Sequence, residues 1–244
     1  MRILDENDNS PRFEKTEYQL KIKENSPLNS KFKLPYVTDS DSSPLNVQSF
    51  VLEQDQNVFA VENKIIDGEM QAELKLVGEL DYENMRTYKL NVIAKDGGKP
   101  AKVSTLSVQV EVEDVNDNAP RFNSSKFTVS VSEDLQRDQL VTNIKAFDAD
   151  GPVNNVLSYS LDDNNHFAVD SHSGNIYLAR EVDAETKQLY VLRLTASDSG
   201  QPALTNHTAV EVTVTNVNDN NPIIHVDYSS WNYVSAIFCF KTFF

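Results

Sequence analysis

The chain has 244 residues, enough for one or two domains, and contains 37 Asp and Glu residues against 22 Lys and Arg residues. Its net charge of −15 argues against nucleic acid or an anionic membrane surface as a partner and favours a cation as ligand. The single cysteine, Cys239, excludes an intrachain disulfide framework.

The two ends of the chain carry no signal for membrane insertion. Residues 1–4 run straight into Asp5 with no apolar stretch, so we expect no signal peptide. No run of about 18 apolar residues occurs, so we expect no membrane-spanning helix. Residues 231–244 are apolar and aromatic, unlike the rest of the chain, and a gene-model or splicing artefact explains them better than a functional anchor does.

Short segments of alternating apolar and polar residues, bounded by Gly, Pro, Asn and Asp, recur along the chain. They lie at 18–23, 88–94, 106–112, 127–131, 190–196 and 210–214. A period of two is typical of half-buried strands, and no segment has a sustained helical period. We therefore predict an all-β fold, with an antiparallel β-sandwich of about seven strands in each half of the chain.

Aromatic residues at strand positions are predicted to belong to the cores and not to a binding surface. These residues are Tyr18, Phe59, Tyr88, Phe167 and Tyr190. The four His residues, at positions 166, 172, 207 and 225, share no ligand spacing, so we expect them at the surface and not in a zinc site.

An Asn-Asp-Asn block occurs three times, at 7–9, 116–118 and 218–220, each followed closely by a proline. In the first two copies, a Glu lies 17 residues and an Asp lies 32 residues after the first Asn of the block. The blocks therefore mark the boundaries of an internal repeat. Because the acids recur in register, a ligand set explains them better than a merely soluble surface.

The repeat divides the chain into four predicted segments. Residues 1–10 are a partial linker from a preceding repeat, 11–118 are repeat A, 119–220 are repeat B, and 221–244 are the truncated start of a next repeat plus the aberrant tail. At the A/B boundary Pro120 biases Ala119 toward an extended conformation. We expect this short linker to need a stiffening agent, because many of the side chains around it are negatively charged.

Five motifs, present in the same order in both halves, resemble those of extracellular cadherin repeats. Repeat A contains Glu24-Asn25, Asp39-Ser40-Asp41, Leu80-Asp81-Tyr82-Glu83, Asp96-Gly97-Gly98 and Asp114-Val115-Asn116-Asp117-Asn118. Repeat B contains Glu133, Asp148-Ala149-Asp150, Val182-Asp183-Ala184-Glu185, Asp198-Ser199-Gly200 and Asn216-Val217-Asn218-Asp219-Asn220. The resemblance implies two tandem immunoglobulin-like Greek-key β-sandwiches joined by a calcium-binding linker. Within the family, residues 59–83 are similar to the second repeat of protocadherins, and repeat B is similar to the third.

The resemblance also implies three calcium ions at the A/B boundary, which we call the central junction. The implied ligands are Glu24, Asp81, Glu83, Asp114, Val115, Asn116, Asp117, Asn118, Asp148, Asp150, Asn154 and Asp198, with Val115, Asn118 and Asn154 acting through their carbonyls. All are oxygen ligands, which calcium prefers, whereas zinc prefers His or Cys.

Two further groups of acids form partial junctions, each expected to hold up to about one ion. The first junction comprises Asp5, Asn7, Asp8, Asn9, Asp39, Asp41 and Asp96. The last junction comprises Glu133, Asp183, Glu185 and Asp219. We expect the last ion to bind weakly, because Asn216 stands where the family usually has Asp and no Asp-x-Asp motif follows.

Calcium-dependent cell–cell adhesion is the function that the resemblance implies, with the same protein on an apposed cell as the expected partner. Three ions would nearly neutralise the eight carboxylates of the central junction and would turn a hinge into a rod. Protocadherins pair through their first four repeats, so this fragment alone is expected to associate weakly at best. The alternative is a calcium-stiffened spacer or soluble decoy with no adhesive face.

We expect neither an enzyme nor a small-molecule substrate. A glycosidase would also use paired carboxylates, but a catalytic pair seldom recurs in duplicate within a larger acidic set. An EF-hand starting at Asp148 fails, because its twelfth position is Tyr159. The expected location of the full-length protein is the extracellular face of the plasma membrane, and two sequons, at Asn123 and Asn206, are glycosylation candidates that fit it.

Overall fold

The computed structural model describes residues 5–54, 57–162 and 165–220. Residues 221–244, which the sequence predicts as the start of a next repeat and an aberrant tail, lie outside the described residues, as do residues 1–4 of the predicted first linker. All regular elements in the described ranges are β-strands, which agrees with the predicted all-β fold. No helix in these ranges is long and apolar enough to cross a bilayer.

Nine strand segments form the first sandwich. They are β1 Arg12–Phe13, β2 Glu17–Lys23, β3 Lys31–Lys33, β4 Val37–Thr38, β5 Val47–Glu53, β6 Phe59–Ile66, β7 Glu69–Leu76, β8 Thr87–Asp96 and β9 Val103–Glu113. One sheet has the order β2-β9-β8-β5, the other has the order β3-β7-β6, and β1 pairs with β4. Strand β2 runs parallel to β9, whereas the registered neighbours in the rest of the sandwich are antiparallel.

The second sandwich repeats this plan element for element. Its strands are β10 Arg121–Phe122, β11 Lys126–Ser132, β12 Leu140–Asn143, β13 Ala146–Phe147, β14 Ser158–Leu161, β15 Phe167–Val169, β16 Asn175–Leu178, β17 Leu189–Ser197 and β18 Thr205–Thr215. The sheets have the orders β11-β18-β17-β14 and β12-β16-β15, and β10 pairs with β13. Each sandwich has nine segments and not the predicted seven strands, because two strands are interrupted. In the first sandwich β1 and β2 are successive segments of one strand, and β3 and β4 are successive segments of the next. The two segments of each strand pair with different neighbours.

The period-two alternation seen in the sequence places one face of each strand in a core. In β8 the residues Tyr88, Leu90, Val92 and Ala94 are all buried. An edge-to-face aromatic pair occupies the same place in each sandwich, with ring centroids 5.3 Å apart for Phe59 with Tyr88 and 5.3 Å for Phe167 with Tyr190.

These four aromatic residues are buried, which confirms their prediction as core residues, whereas Tyr18 is only partly buried against the core.

The described residues group into two compact units that do not coincide with the two sandwiches. The first unit contains the residues up to 123 together with 146–158 and 196–206, and the second contains 124–145, 159–195 and the residues from 207 on. All predicted ligands of the first and central junctions therefore belong to the first unit. Those of the last junction belong to the second unit.

Candidate metal centre

Glu24, directly after strand β2, organises one side of the central junction. Its side chain is buried, and its two carboxylate oxygens accept hydrogen bonds from the backbone N–H of Tyr82, at 2.7 Å, and of Val115, at 2.8 Å. These bonds hold the Asp81-Tyr82-Glu83 segment beside the linker. As a result, carboxylate oxygens of Glu24, Asp81 and Glu83 lie within 4.8 Å of one another.

The linker is held to residues 148–154 by a second set of contacts. Asp114 Oδ2 accepts hydrogen bonds from the Gly151 N–H and from Asn154 Nδ2, both at 2.9 Å. Asn118 donates its side-chain Nδ2 to Asp150 Oδ1 at 2.8 Å. Together these bonds bring Asp150 to the linker acids, and oxygens of Glu83, Asp117 and Asp150 form a second group within 4.8 Å.

Asn116 and Asp198 define the third part of the centre. Asn116 Nδ2 donates to the Pro202 carbonyl at 2.7 Å and to Asp198 Oδ1 at 3.3 Å. The same Asp198 oxygen accepts the N–H of Gly200 at 2.9 Å and the N–H of Leu204 at 3.1 Å. The amide nitrogen of Asn116 is therefore engaged, whereas its buried oxygen accepts no hydrogen bond.

Seven buried side-chain oxygens in the described residues lack a hydrogen-bond donor, and all seven belong to predicted ligands. They are Asn7 Oδ1, Asp39 Oδ2, Glu83 Oε1, Asp96 Oδ2, Asp114 Oδ1, Asn116 Oδ1 and Asp148 Oδ2. Burial of an unpaired acceptor costs about 1–3 kcal/mol, and more when the group is charged. A cation that accepts oxygen ligands would remove this cost at each atom.

The carboxylates of the centre form no ion pair with Lys, Arg or His in the part of the chain that the structure describes. Among the described residues, none of the ion pairs involves a predicted ligand. Glu73, the one buried carboxylate outside the predicted ligand set in those ranges, is by contrast paired with Lys64 at 2.6 Å. Buried charges in proteins are paired or bind metals, so the remaining acids fit a metal centre.

Burial and mutual repulsion raise the pKa values of several of these acids. Burial, followed by the charges of Glu24, Asp117 and Asp150, raises the pKa of Glu83 to about 7. Burial also raises the pKa of Asp148, with Asp198 and Asp114 adding repulsion. The ionised state of this site therefore needs a compensating positive charge.

Two glycines that the ligand prediction did not include allow this close packing. A Cβ atom at Gly151 would come within 2.5 Å of Asp114 Oδ2, and one at Gly200 within 2.0 Å of Asn116 Cγ. Gly200 has a sequence counterpart in Gly98 of the first repeat, whereas the counterpart of Gly151 is Ser42. Tyr82 was also missed; the Arg86 guanidinium lies 4.7 Å from its ring centroid.

At the first junction, residues 5–9 contact residues 41–42 in the same way as the linker contacts residues 150–151 at the central junction. Asn9 Nδ2 donates to Asp41 Oδ1 at 2.6 Å, as Asn118 does to Asp150. The Ser42 N–H donates to Asp5 at 2.6 Å, as Gly151 does to Asp114.

The resemblance between the junctions extends to the ligand oxygens. The unpartnered oxygens of Asn7, Asp39 and Asp148 lie in the motifs that repeat between the junctions. Burial raises the pKa of Asp39, whereas the hydrogen bond from Asn9 lowers the pKa of Asp41. Asp8 Oδ1 accepts a hydrogen bond from Asn9 Nδ2 at 2.7 Å, as Asp117 Oδ1 does from Asn118 Nδ2 at 2.8 Å.

The last junction has a different character. Oxygens of Glu133, Glu185 and Asp219 lie within 4.8 Å of one another, but Asp183 is not part of this group. The hydroxyl of Thr186 donates to Asp183 and lowers its pKa. The side-chain amides of Asn216 and Asn220 already donate to Glu185 Oε1, at 3.1 Å and 3.0 Å.

One predicted carbonyl ligand of the central junction has a partner within the protein. The Asn154 carbonyl accepts the N–H of Ser199 at 3.1 Å, which leaves one of its two lone pairs for an ion. The Asn154 side chain takes part through its bond to Asp114, which the sequence did not predict.

Comparison with known proteins places these features in a family context. The family model described as Cadherin domain matches residues 18–113 and 127–215. Protocadherin gamma-C5 of Homo sapiens is 35% identical over 228 residues, which cover 91% of this chain and 24% of that protein. Protein dachsous of Drosophila melanogaster is 34% identical over 236 residues, which cover 93% of this chain and 7% of that protein. The chain thus spans about a quarter or less of the length of these relatives.

Solved structures show the same architecture. The crystal structure of protocadherin gamma C5 EC1-3 matches with a TM-score of 0.81 and 35% sequence identity, covering 87% of this chain and 70% of that one. The protocadherin gamma B7 extracellular cadherin domains 1-4 match with a TM-score of 0.83 and 30% identity, covering 89% of this chain and 53% of that one.

Proposed function

The chain belongs to the cadherin family, and on that premise we propose that it is part of a cell-surface protein that mediates calcium-dependent cell–cell adhesion. Its relatives include protocadherins, and the matched structures include protocadherin extracellular domains, which supports an extracellular location. A role in calcium-dependent adhesion also fits the site, because the carboxylate oxygens of each group of three lie within 4.8 Å of one another, close enough to bind one cation together. The proposal includes no catalytic role.

The observation that carries the calcium proposal is the set of seven buried, unpartnered oxygens, all in predicted ligands. At the central junction the donors are carboxylates, a side-chain amide and backbone carbonyls, a mixture that suits calcium. We propose three ions there, held by the twelve ligands that the resemblance implies, and up to about one ion at each partial junction. Bound calcium would supply positive charge and satisfy the unpaired oxygens.

Calcium should also rigidify the linker. Eight carboxylates surround it, and two unit charges 4 Å apart repel by about 4 kcal/mol at an effective dielectric constant of 20. Three ions bring six positive charges, which nearly cancels the eight negative ones. Without them, repulsion would separate Asp148, Asp150 and Asp198 from the linker, so calcium would convert a hinge into a rod.

Titration calorimetry of the full chain tests calcium binding directly. We expect dissociation constants of about 10⁻⁴ to 10⁻³ M, the range of extracellular calcium modules, and much weaker binding of magnesium, which demands near-octahedral geometry. An absence of calcium binding at 10 mM would rule out the metal centre. Small-angle scattering tests the proposed rigidification. The maximum dimension of the protein should increase when calcium is added to the EGTA-treated protein. An unchanged profile would reject rigidification and leave calcium binding as proposed.

We further propose that the adhesion is homophilic, on the support of the similarity to protocadherins. Beads coated with this chain, and beads coated with a version extended by its neighbouring repeats, separate the possibilities. Calcium-dependent clustering of the extended version with itself would support homophily, and the short chain should cluster weakly or not at all. If the extended version binds calcium yet does not cluster, the spacer or decoy alternative replaces adhesion.

A further inference from the structure

The two sequons of the chain come together in the second sandwich. Strands β11 and β18 are parallel neighbours, with Lys126 opposite Ala209 as the first registered pair. Asn123 and Asn206 each lie three residues before that pair, so the two strands carry both asparagines to the same end of the sheet.

The two asparagines nevertheless differ in their surroundings. Asn123 is exposed in the bend between β10 and β11, and the Ser124 and Ser125 residues that complete its sequon are exposed as well. Asn206 is half-buried within β18. Side chains alternate along a strand, and Asn206 shares its parity with the buried residues Thr208 and Val210. Its side chain therefore lies on the core-facing side of the strand.

The threonine of the second sequon has a structural explanation that requires no glycan. Thr208 is 1% exposed, and its hydroxyl donates to the Ser124 carbonyl at 2.9 Å. Near the other end of the same strand pair, the Thr215 hydroxyl donates to the Val131 carbonyl at 3.1 Å in the same way. Thr208 thus links β18 to the segment that precedes β11. The presence of threonine at position 208 is explained by this packing role.

From these contrasts we propose that the folded, secreted chain carries its N-glycan on Asn123 and none on Asn206, because a glycan on the core-facing side of β18 would not fit the packed strand. The oligosaccharide donor is a lipid-linked diphosphate sugar. The Asn123 amide nitrogen forms a bond to C1 of the first sugar, the bond from C1 to the lipid diphosphate breaks, and the amide loses one proton. The inference rests on the proposed extracellular location only in requiring passage through a secretory compartment.

The test uses the full chain behind an added secretion leader in animal cells, so it does not depend on adhesive function. The mass of the intact protein from lysate and from medium is measured by mass spectrometry. The measurement is repeated after treatment with an amidase that removes N-glycans and converts the acceptor Asn to Asp. We expect one glycan per chain, unchanged by Asn206→Gln and lost in Asn123→Gln. Ser125→Ala should also abolish it, whereas Ser125→Thr should retain it, which separates loss of the sequon from misfolding.

Three results would overturn the proposal. They are a glycan that persists in Asn123→Gln, a glycan on both asparagines, and an unmodified wild-type chain in the secreted fraction. The amidase-treated protein is expected to bind calcium as the untreated protein does, because no predicted ligand lies within residues 119–132 around Asn123. Failure of the glycan test would therefore leave the proposed calcium function intact.

Discussion

Gly200 lies directly against the side chain of Asn116, and a Cβ atom at this glycine would come within 2.0 Å of Asn116 Cγ. The Asn116 amide is meanwhile fixed by the Pro202 carbonyl, 2.7 Å from its nitrogen, and its oxygen is left buried and unpartnered. The glycine therefore determines where one ligand oxygen of the central junction can lie.

Gly200→Ala should weaken calcium binding, because the added methyl group must displace the Asn116 side chain. Loss of a group that orients a metal ligand typically costs about 10- to 100-fold in affinity, and we expect an effect of this size in calorimetry. The circular dichroism spectrum should stay that of the wild type, since Gly200 lies outside the strands. A binding curve identical to that of the wild type would show that Asn116 is not a ligand.

Gly98 offers a matched control at the first junction. A Cβ atom there would come within 1.8 Å of Asn7 Nδ2, the equivalent contact to that between Gly200 and Asn116. Gly98→Ala should therefore remove the ion of the first junction and leave the central sites at their wild-type affinity. If both glycine variants affect the same binding phase, the two junctions are not independent.

Glu24→Ala should destabilise the protein even in EGTA. The Glu24 carboxylate accepts two backbone N–H groups, and its removal leaves both without an acceptor, at a cost of about 1–3 kcal/mol for each group that stays buried. Urea denaturation in EGTA measures this loss. Glu133→Ala is the matched variant, because Glu133 accepts the N–H groups of Ala184 and Val217 in the second repeat. Equal stability of the wild type and Glu24→Ala in EGTA would assign Glu24 to calcium binding alone.

The fold was largely predictable from the sequence, because a period of two along a strand directly reports which side chains are buried. The burial of Phe59, Tyr88, Phe167 and Tyr190 follows from that pattern, whereas their pairing ring to ring does not. The breaks that divide the first two strands of each sandwich were not predictable, since they depend on which neighbour each half pairs with.

The candidate ligands could be named from motifs that resemble those of cadherin repeats, but the groups that position them could not. Gly151 and Gly200 matter because of what a side chain would strike, and that information exists only in three dimensions. The bond between Thr208 and Ser124 likewise joins residues far apart in the sequence, so the sequon at Asn206 could not be judged by pattern alone.

Calcium affinity should depend on pH through Glu83. Without metal its pKa is raised to about 7, so at pH 6 an ion must displace a proton that is largely absent at pH 8. Apparent affinity for the ion bound by Glu83 should therefore fall about tenfold between pH 8 and pH 6. Calorimetry at the two pH values measures the change, and Glu83→Gln should bind more weakly but without this pH dependence.

The raised pKa of Glu83 should make the calcium-free protein less stable as the pH rises, whereas calcium affinity increases with pH. Because the folded-state pKa of Glu83 lies above its ordinary value, its contribution to stability is fully present at low pH and is lost as the pH rises through about 7. In EGTA the wild type should therefore unfold at lower urea concentration at pH 8 than at pH 6. A calcium-free stability that rises over this interval would contradict the predicted repulsion around Glu83.

Asp148→Asn should weaken calcium binding and at the same time stabilise the calcium-free protein. Burial, with repulsion from Asp198 and Asp114, raises the pKa of Asp148, so its ionised form opposes folding at neutral pH until a cation is bound. The neutral amide removes that opposition and also removes a charged ligand. Urea denaturation in EGTA and in 2 mM calcium should show the two effects with opposite sign. Asp39→Asn should do the same at the first junction, since burial also raises its pKa and its Oδ2 is likewise unpartnered. If either variant loses stability in EGTA, that aspartate serves the fold itself, and its role as a ligand would need other support.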